Sequence, residues 1–206
     1  MTGGAPPVAR AIASRRSLRH FDARRVDPAV IRELVALACM APAPHHSRPW
    51  RYVLVATPES RVRLADTMTD AWRADLVEED RPVLQIARTL ERSRRQIENA
   101  PVLLVACICL DEARPWPDPA RRLSERDMFV QSLGASLQNL LLAAGERGLA
   151  GYLKGAPLFC QQAVREALAL PPDWEPAFLV LLGYPQPGVE PPSRAGVQVD
   201  DFLLET

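Results

Sequence analysis

The longest uncharged stretch of the chain is residues 128–145, in which 18 consecutive positions carry no charged side chain. Ser124 is placed to cap a helix before this stretch, and Gly148 stands where a helix-terminating glycine belongs. The pattern therefore predicts a helix over residues 124–148. Apolar residues occupy all sides of this helix, which predicts burial on most sides. Small residues that permit close helix approach are Ser132, Gly134, Ala135 and Ser136.

Two interpretations of this helix stay open. It is a central core helix, or a core helix that also forms the seam of a dimer. A membrane helix is disfavoured, although the uncharged part would span about 27 Å. Gln131, Gln138 and Asn139 interrupt its apolar surface, and no other segment has membrane-like composition.

Shorter apolar runs and turn residues predict the rest of the fold. Residues 102–110 form a near-continuous apolar run rich in β-branched side chains, which is typical of a strand buried on both faces. The predicted strands are residues 51–56, 102–110, 149–155 and 177–184, and the predicted helices are residues 6–14, 27–40, 57–75, 82–99, 124–148 and 161–170. No repeat or linker divides the order ααβααβαβαβ, so we expect one α+β domain over residues 1–206.

Composition excludes some classes of protein. The 206 residues include 25 basic and 25 acidic side chains, and this zero net charge argues against a nucleic-acid-binding protein. The first eight residues lack the apolar core of a secretory signal. Four cysteines show no CxxC spacing, which favours reduced, mostly buried thiols. We therefore expect a cytoplasmic protein without a membrane segment.

Three segments carry candidate chemistry. Arg15, Arg16 and Arg19 flank Ser17, and such a set of donors can wrap a phosphate or remain a solvated loop. Residues 41–50 form a proline-rich loop, predicted to be rigid and extended, that also presents two histidines, an arginine and a tryptophan. Adjacent histidines seldom share one ion, so we expect no metal site. Arginines at 88, 92, 94 and 95 suggest a solvated helix face or, less simply, a lid over an anionic ligand.

Four motifs together resemble the FMN-dependent nitroreductase family. Residues 14–21 read SRRSLRHF, residues 41–50 read APAPHHSRPW, residues 137–151 contain LQNLLLAA followed by GLAG, and residues 182–185 read LGYP. Each motif is weak alone, but the four occur in order and at the spacing of the family. The resemblance implies a nitroreductase-like α+β fold. Its central, mostly antiparallel sheet is flanked by helices, and the buried central helix lies at a homodimer interface.

A narrower resemblance lies within that family. Residues 41–49, 71–76 (AWRADL) and 170–176 (LPPDWEP) resemble the C-terminal reductase domain of the FbiB family of coenzyme F-420:γ-glutamyl ligases. The ligase domain of that family is absent from this sequence. The resemblance therefore implies reduction of the dehydro precursor of coenzyme F-420, with any glutamyl ligase being a separate partner.

The resemblance also implies where FMN binds in each of two sites lined by both subunits. The implied cofactor-binding residues are Arg15, Arg16, Ser17, Arg19, Lys154, Gly155 and Arg194, with Pro42, Ala43, Pro44 and His46 supplied by the partner subunit. In detail, it implies that Arg15, Arg16 and Ser17 hold the pyrimidine edge and phosphate, that Arg19 and Arg194 hold the phosphate, and that the backbone at Lys154 and Gly155 faces flavin N5. No catalytic acid–base pair is predicted.

The substrate is expected to be a small anion. Where the wider family has Asn and Gln in the proline-rich loop, this chain has His46 and Arg48. With His45 and Arg51, these residues would form a cationic edge suited to phosphodiester and carboxylate groups. The candidate substrate-binding residues are His45, Arg48, Arg51 and Arg73.

Three alternatives remain at this stage. The first is a broad NAD(P)H-dependent reductase of nitroaromatics or quinones. The second is a non-catalytic carrier of flavin or deazaflavin, and the third is an α+β domain without a ligand. A flavin-destroying activity, as in the branch that makes the lower ligand of cobalamin, is disfavoured because the loop of that branch differs from APAPHHSRPW.

Overall fold

A computed structural model describes residues 7–206. The elements are α1 (Pro7–Ser14), α2 (Pro28–Ala38), β1 (Trp50–Leu54), α3 (Pro58–Glu78), α4 (Val83–Asn99), β2 (Val102–Cys109), α5 (Pro119–Glu146), β3 (Ala150–Lys154), α6 (Gln161–Leu168) and β4 (Trp174–Gly183). Their order confirms the predicted succession of helices and strands. Pro6, where the first helix was predicted to begin, lies outside the described residues.

The four strands form one antiparallel sheet in the order β1-β2-β4-β3. All eight residues of β2 are buried, which confirms the prediction of a strand covered on both faces. The strands β1 and β3 form the two edges of the sheet. These two edges carry most of the candidate site residues.

Helices cover both faces of the sheet. Alternate residues of β2 point to opposite sides, so each face of the sheet contributes to its own core. On one face, Leu104, Ala106 and Ile108 belong to a core formed with α2 and α5. On the other face, Leu103, Val105 and Cys107 belong to a core formed with α3, α6 and Ile97 of α4. In residues 7–206, no helix is long and apolar enough to cross a membrane.

The strand β4 begins inside a segment that the sequence predicted to be a connector. Pro171, Pro172 and Pro176 favoured an irregular segment over residues 171–176, but β4 starts at Trp174. The register between β2 and β4 shifts between Ala106 and Cys107, next to the position of Pro176. This bulge accommodates a proline, which cannot donate a ladder hydrogen bond.

The helix α5 begins five residues earlier than predicted. Its N-cap is Asp118, whose side chain accepts a hydrogen bond from the Arg121 N–H. The Ser124 hydroxyl instead donates to the Ala120 carbonyl oxygen within the helix. The predicted C-terminal glycine is confirmed, because Gly148 has a φ of +69°.

Burial of α5 is one-sided in the single chain, contrary to the expectation of burial on most sides. Phe129, Leu133 and Leu137 are buried in the core. An uncharged stripe that includes Val130, Gly134 and Gln138 is exposed. A Cβ atom added at Gly134 would have no neighbour within 4 Å. The structure therefore leaves an uncharged helix surface open on one side of the molecule.

Candidate functional site

The arginine-rich segment lies along the β3 edge of the sheet. Ser17 forms a parallel bridge with Gly151, and Phe21 forms an antiparallel bridge with Pro185. A Cβ atom at Gly151 would lie 2.4 Å from Leu182 Cδ2 and 2.9 Å from the Leu181 carbonyl oxygen, so a larger residue would displace the strand. The chain thus holds residues 15–21 as a short extension of the sheet.

Three arginines meet at the start of this segment. Arg194 Nη2 donates to the Arg15 carbonyl oxygen at 3.0 Å, and Arg16 Nε donates to the Pro192 carbonyl oxygen at 3.1 Å. Burial lowers the pKa of Arg15, and the charges of Arg194 and Arg16 lower it further. Within residues 7–206, none of these three guanidinium groups forms an ion pair.

This three-arginine cluster borders a cleft of about 430 Å³ between α1, the end of α5 and residues 148–151. Arg15 and Arg16 line the cleft, and Glu146 contributes a carboxylate. Unpaired guanidinium groups that share one cleft are suited to bind a phosphate. The structure therefore brings together Arg15, Arg16 and Arg194, which the sequence had suggested as phosphate ligands.

Lys154 and Arg19 lie in a different cleft, on the α4 side of the sheet, with a volume of about 1130 Å³. Lys154 Nζ donates to Ser93 Oγ at 2.7 Å and to Gln96 Oε1 at 3.2 Å. Burial, together with the charges of Arg92 and Arg19, lowers the pKa of Lys154 to about 8. The two clefts share no lining residue, so Arg19 is grouped with Lys154 and not with Arg194.

The proline-rich loop contains a short 3₁₀ turn, Pro44–His46, where the sequence predicted only extended chain. His45 and His46 have φ values of 54° and 59°, a region that residues other than glycine seldom adopt. Pro42 is exposed and Ala43 is half-buried. The turn packs beside the first half of α5, away from the three-arginine cluster at its far end.

Glu125 of α5 is the buried group beneath this turn. It is 3% exposed and accepts hydrogen bonds from the Arg114 N–H at 3.1 Å and from Trp116 Nε1 at 3.2 Å. These hydrogen bonds lower the pKa of Glu125, and so does the nearby His45, whose Nε2 lies 3.9 Å from Oε1. Arg114 Nη2 lies 3.2 Å from His45 Nδ1. Glu125 thus positions His45 and the segment around Trp116.

The candidate substrate residues do not form one cluster in the chain. Arg51 donates to the Arg48 carbonyl oxygen at 2.6 Å and pairs with Asp111 at 3.1 Å, so its charge is already used. Arg48 is exposed beside it. Arg73 is exposed on α3 and does not line the α4 cleft, although the neighbouring Trp72 does.

Sequence reasoning missed two buried groups. Glu125 was not selected as a site residue, because its partners Arg114 and Trp116 lie in a loop whose path the sequence did not predict. Tyr152 was not considered, yet its buried hydroxyl has no hydrogen-bond partner among the described residues. The only signal in the sequence for Tyr152 was its place two positions before Lys154, the sole lysine, in a short predicted strand. Residues 7–206 contain no cluster of three His, Cys, Asp or Glu residues able to hold a metal ion.

The predicted residues occupy opposite edges of the sheet. The proline-rich loop and Arg51 lie at the β1 edge, whereas Ser17 and Lys154 lie at the β3 edge. Three strand spacings separate these edges, a distance of about 14 Å. Along α5, Glu125 and Gly145 are about 30 Å apart. A single chain therefore does not bring the proline-rich loop to the three-arginine cluster.

Comparison with known proteins identifies relatives along most of the chain. Residues 12–184 match the model of the nitroreductase family. A putative NAD(P)H nitroreductase, YfhC of Bacillus subtilis, is 25% identical over 190 residues, which cover 91% of this chain and 89% of the relative. A 5,6-dimethylbenzimidazole synthase of Rhodobacter capsulatus is 30% identical over 175 residues, which cover 84% and 80%.

Solved structures have the same fold. A BluB-like flavoprotein from Clostridium difficile superposes with a TM-score of 0.77 at 21% identity, covering 98% of this chain and all of the other. A nitroreductase-like protein from Bacillus cereus gives a TM-score of 0.75 at 22% identity, covering all of this chain and 98% of the other. At these identities the match establishes the fold.

Proposed function

This chain belongs to the nitroreductase family of oxidoreductases, and we propose that FMN is its cofactor. The observation that carries the proposal is the cluster of Arg15, Arg16 and Arg194, whose charges have no ion-pair partner within residues 7–206. A phosphate monoester supplies the negative charge that such a cluster lacks. The flavin supplies hydride transfer at N5, while the protein binds and orients it.

The arrangement of side chains favours one orientation of the cofactor. The phosphate would lie at the three-arginine cluster and Ser17, and the ring system would extend along the β3 edge toward Lys154 and Gly155. Arg19 and Lys154 would then lie near the ring system, where positive charge favours the anionic reduced flavin. This orientation differs from the expectation for Arg19, which was expected to contact the phosphate. No side-chain acid is assigned, because solvent can protonate the product.

We also propose that the protein is a homodimer whose partner subunit completes each site. The support is the separation of the proline-rich loop from the β3 edge, together with the uncharged exposed stripe of α5. A second copy packed on that stripe would carry its own Pro42, Ala43, Pro44 and His46 toward the flavin. The C-terminal segment adds exposed apolar side chains that a partner would cover: Val197, Val199, Phe202 and Leu204.

The more specific proposal is reduction of the dehydro precursor of coenzyme F-420. It is supported by the loop sequence APAPHHSRPW and by the exposed side chains of His45 and Arg48, which can donate hydrogen bonds to the phosphodiester and carboxylates of such a substrate. A separate glutamyl ligase would then act in the same pathway. NAD(P)H is the candidate electron donor.

A second candidate function is a broad NAD(P)H-dependent reductase of nitroaromatics or quinones. The observation that favours it is the name of the Bacillus subtilis relative, a putative NAD(P)H nitroreductase. Turnover of small neutral acceptors at rates equal to anionic ones would favour this function. Formation of 5,6-dimethylbenzimidazole would instead indicate the reaction named for the Rhodobacter capsulatus relative.

The decisive experiment is a titration of the purified protein with FMN, followed by absorbance and fluorescence. We expect saturable binding, and we expect Arg15→Gln to raise the Kd for FMN about tenfold or more. Arg25→Gln is the control, because Arg25 is an exposed arginine that lines neither cleft. Absence of FMN binding by the unsubstituted protein would overturn the proposal. Equal affinities for the two variants would overturn the phosphate assignment.

A further inference from the structure

The only charged side chain that is buried within residues 7–206 is that of Glu125, in the second turn of α5. A buried carboxylate is costly unless hydrogen bonds satisfy it. Its oxygens accept one each, Oε1 from the Arg114 N–H and Oε2 from Trp116 Nε1. A buried ionic group of this kind contributes little net stability, so its effect lies in the conformation that it fixes. The flavin site proposed for this chain does not include Glu125.

The segment that contains Arg114 is itself held against α5. Arg122 Nη1 donates to the Trp116 carbonyl oxygen at 3.0 Å. The Arg121 guanidinium carbon lies 5.0 Å from the centroid of the Trp116 ring, within the range of a cation–π contact. The segment therefore has a fixed position relative to the helix, and the Arg114 side chain extends from a fixed point.

Both ring nitrogens of His45 are held by groups that depend on Glu125. Arg114 Nη2 lies 3.2 Å from His45 Nδ1. Because arginine can only donate, Nδ1 is the acceptor, and the hydrogen of the neutral imidazole is on Nε2. That nitrogen lies 3.9 Å from Glu125 Oε1, too far for a hydrogen bond but next to a negative charge. Glu125 thus acts on His45 directly at Nε2 and through Arg114 at Nδ1.

The backbone of the turn requires such support. His45 and His46 have φ values of 54° and 59°, a conformation that persists in residues other than glycine only where the surroundings enforce it. On the far side of the turn, the Ser47 hydroxyl and N–H donate to the Pro44 carbonyl oxygen at 2.6 and 2.9 Å. His46 is exposed and forms no hydrogen bond within residues 7–206. Its direction is therefore set by its two neighbours.

We propose that Glu125 is a positioning residue of the flavin site: by holding His45, it directs the exposed His46 of one subunit toward the flavin of the other. The inference rests on the proposed function, in which the partner subunit supplies His46. Glu125 itself touches neither flavin nor substrate. Its contribution is the geometry of the turn.

The test compares Glu125→Gln with the control Glu175→Gln. The first variant keeps the size of the side chain but places an NH2 group opposite Arg114 N–H or Trp116 Nε1, so one hydrogen bond is lost with the charge. The control removes a carboxylate that pairs with Arg126, the next residue of α5, and that does not contact the turn. Circular dichroism and gel filtration verify the fold and mass of both proteins.

The first measurement needs no flavin. Hydrogen–deuterium exchange, followed by mass spectrometry, reports on the Ser47 amide, which closes the turn. We expect faster exchange over residues 44–48 in Glu125→Gln and no change in Glu175→Gln.

The second measurement is the Kd for FMN. Glu125→Gln should raise it about fivefold, the effect of one lost hydrogen bond, and the control should change it less than about twofold. The kcat of the FMN-saturated protein should change less than the Kd, since Glu125 contacts no reacting atom.

A double-mutant cycle with His45→Ala separates positioning from a general loss of structure. If Glu125 acts through His45, adding Glu125→Gln to His45→Ala should raise the Kd for FMN no further, whereas independent effects add. Should Glu125→Gln not fold, Arg114→Gln takes its place. That variant keeps the backbone N–H that binds Glu125 and removes only the guanidinium contact to His45.

Three results would overturn the inference. The turn could exchange at the same rate in Glu125→Gln and the unsubstituted protein, or the effects of the two substitutions could add. Faster exchange with an unchanged Kd for FMN would show that the turn does not reach the flavin. A protein that binds no FMN at all would refute the proposed function instead, and the exchange rates would decide separately whether Glu125 holds the turn.

Discussion

The two edges of the sheet differ in whether their positively charged side chains have carboxylate partners. At the β1 edge, Arg51 pairs with Asp111, and His45 lies between Arg114 and the buried Glu125. At the β3 edge, Arg95 pairs with Glu91, but four other cations of the α4 cleft have no carboxylate partner within residues 7–206: Arg19, Arg88, Arg92 and Lys154. Charge that is paired inside the chain holds a loop in place. Unpaired charge around a cleft is the property that distinguishes a binding site.

The largest effect is expected from a substitution that disrupts the proposed dimer, in which the proline-rich loop of one subunit would meet the β3 edge of the other. Gly134→Arg places a charged side chain on the exposed stripe of α5, where a Cβ atom meets nothing within 4 Å in the single chain. The chain should therefore fold, but the dimer should dissociate and FMN affinity should fall. Light scattering after gel filtration measures the mass, and circular dichroism verifies folding.

A matched control for that variant is Ala74→Arg, at an exposed position of α3 that lines neither cleft. This variant should keep the mass and the FMN affinity of the unsubstituted protein. A Gly134→Arg protein that remains dimeric would show that α5 does not form the seam.

A smaller effect is expected from the buried ammonium group of the β3 edge. The pKa of Lys154 is lowered from 10.5 to about 8, mainly by burial. Below pH 8 the folded state carries a charge that burial disfavours. Between about pH 8 and 10.5 the unfolded state binds a proton that the folded state does not, so this destabilisation disappears as pH rises.

Lys154→Met should therefore stabilise the ligand-free protein at pH 7, by an amount on the order of 1–3 kcal/mol. The difference between the two proteins should shrink as pH rises from 8 to 10.5. Urea unfolding at several pH values measures it. A difference that is constant with pH would show that Lys154 does not titrate in this range.

The smallest effects are expected from removing a single arginine, either at the β1 edge or in the α4 cleft. Arg51→Gln removes a paired cation and should lower stability by up to about 1 kcal/mol. Arg88→Gln removes an unpaired cation and should leave stability unchanged or raise it by a few tenths of a kcal/mol. Thermal unfolding without ligand measures both. Equal losses in the two variants would contradict the distinction between the edges.

The succession of helices and strands could be predicted because apolar runs such as β2 and glycines such as Gly148 mark elements locally. The start of α5 could not be predicted. Ser124 is a residue type that often caps helices, whereas the actual cap, Asp118, lies in a segment rich in proline and tryptophan. Prolines likewise concealed the start of β4, which pairs with β2 across a bulge next to Pro176. The first error is a choice between two local caps, whereas the second arises because pairing with the distant strand β2 overrides the local preference of the prolines.

The residues of the candidate site likewise include some that local motifs identify and some whose role depends on the fold. Arg15, Arg16 and Lys154 could be selected from motifs. Whether an arginine is free depends on residues far along the chain: Asp111 is 60 positions from Arg51, and Asp66 is 28 positions from Arg94. Arg51 and Arg88 are chemically identical in the sequence, and only the fold shows that one is paired and the other is not.

The position of β2 at the centre of the sheet also has a consequence during synthesis of the chain. All eight residues of β2 become buried, and one of the two strands that flank it, β4, begins 65 residues after β2 ends. At about 5–20 residues per second, a ribosome needs roughly 3–13 s to translate that interval. During this time one hydrogen-bonding edge of VLLVACIC stays unpaired, and nascent α5 and β3 must emerge before β4 can pair with it. We therefore expect the pairing of β2 with the newly made β4 to be the slowest and most aggregation-sensitive step in the biogenesis of this protein.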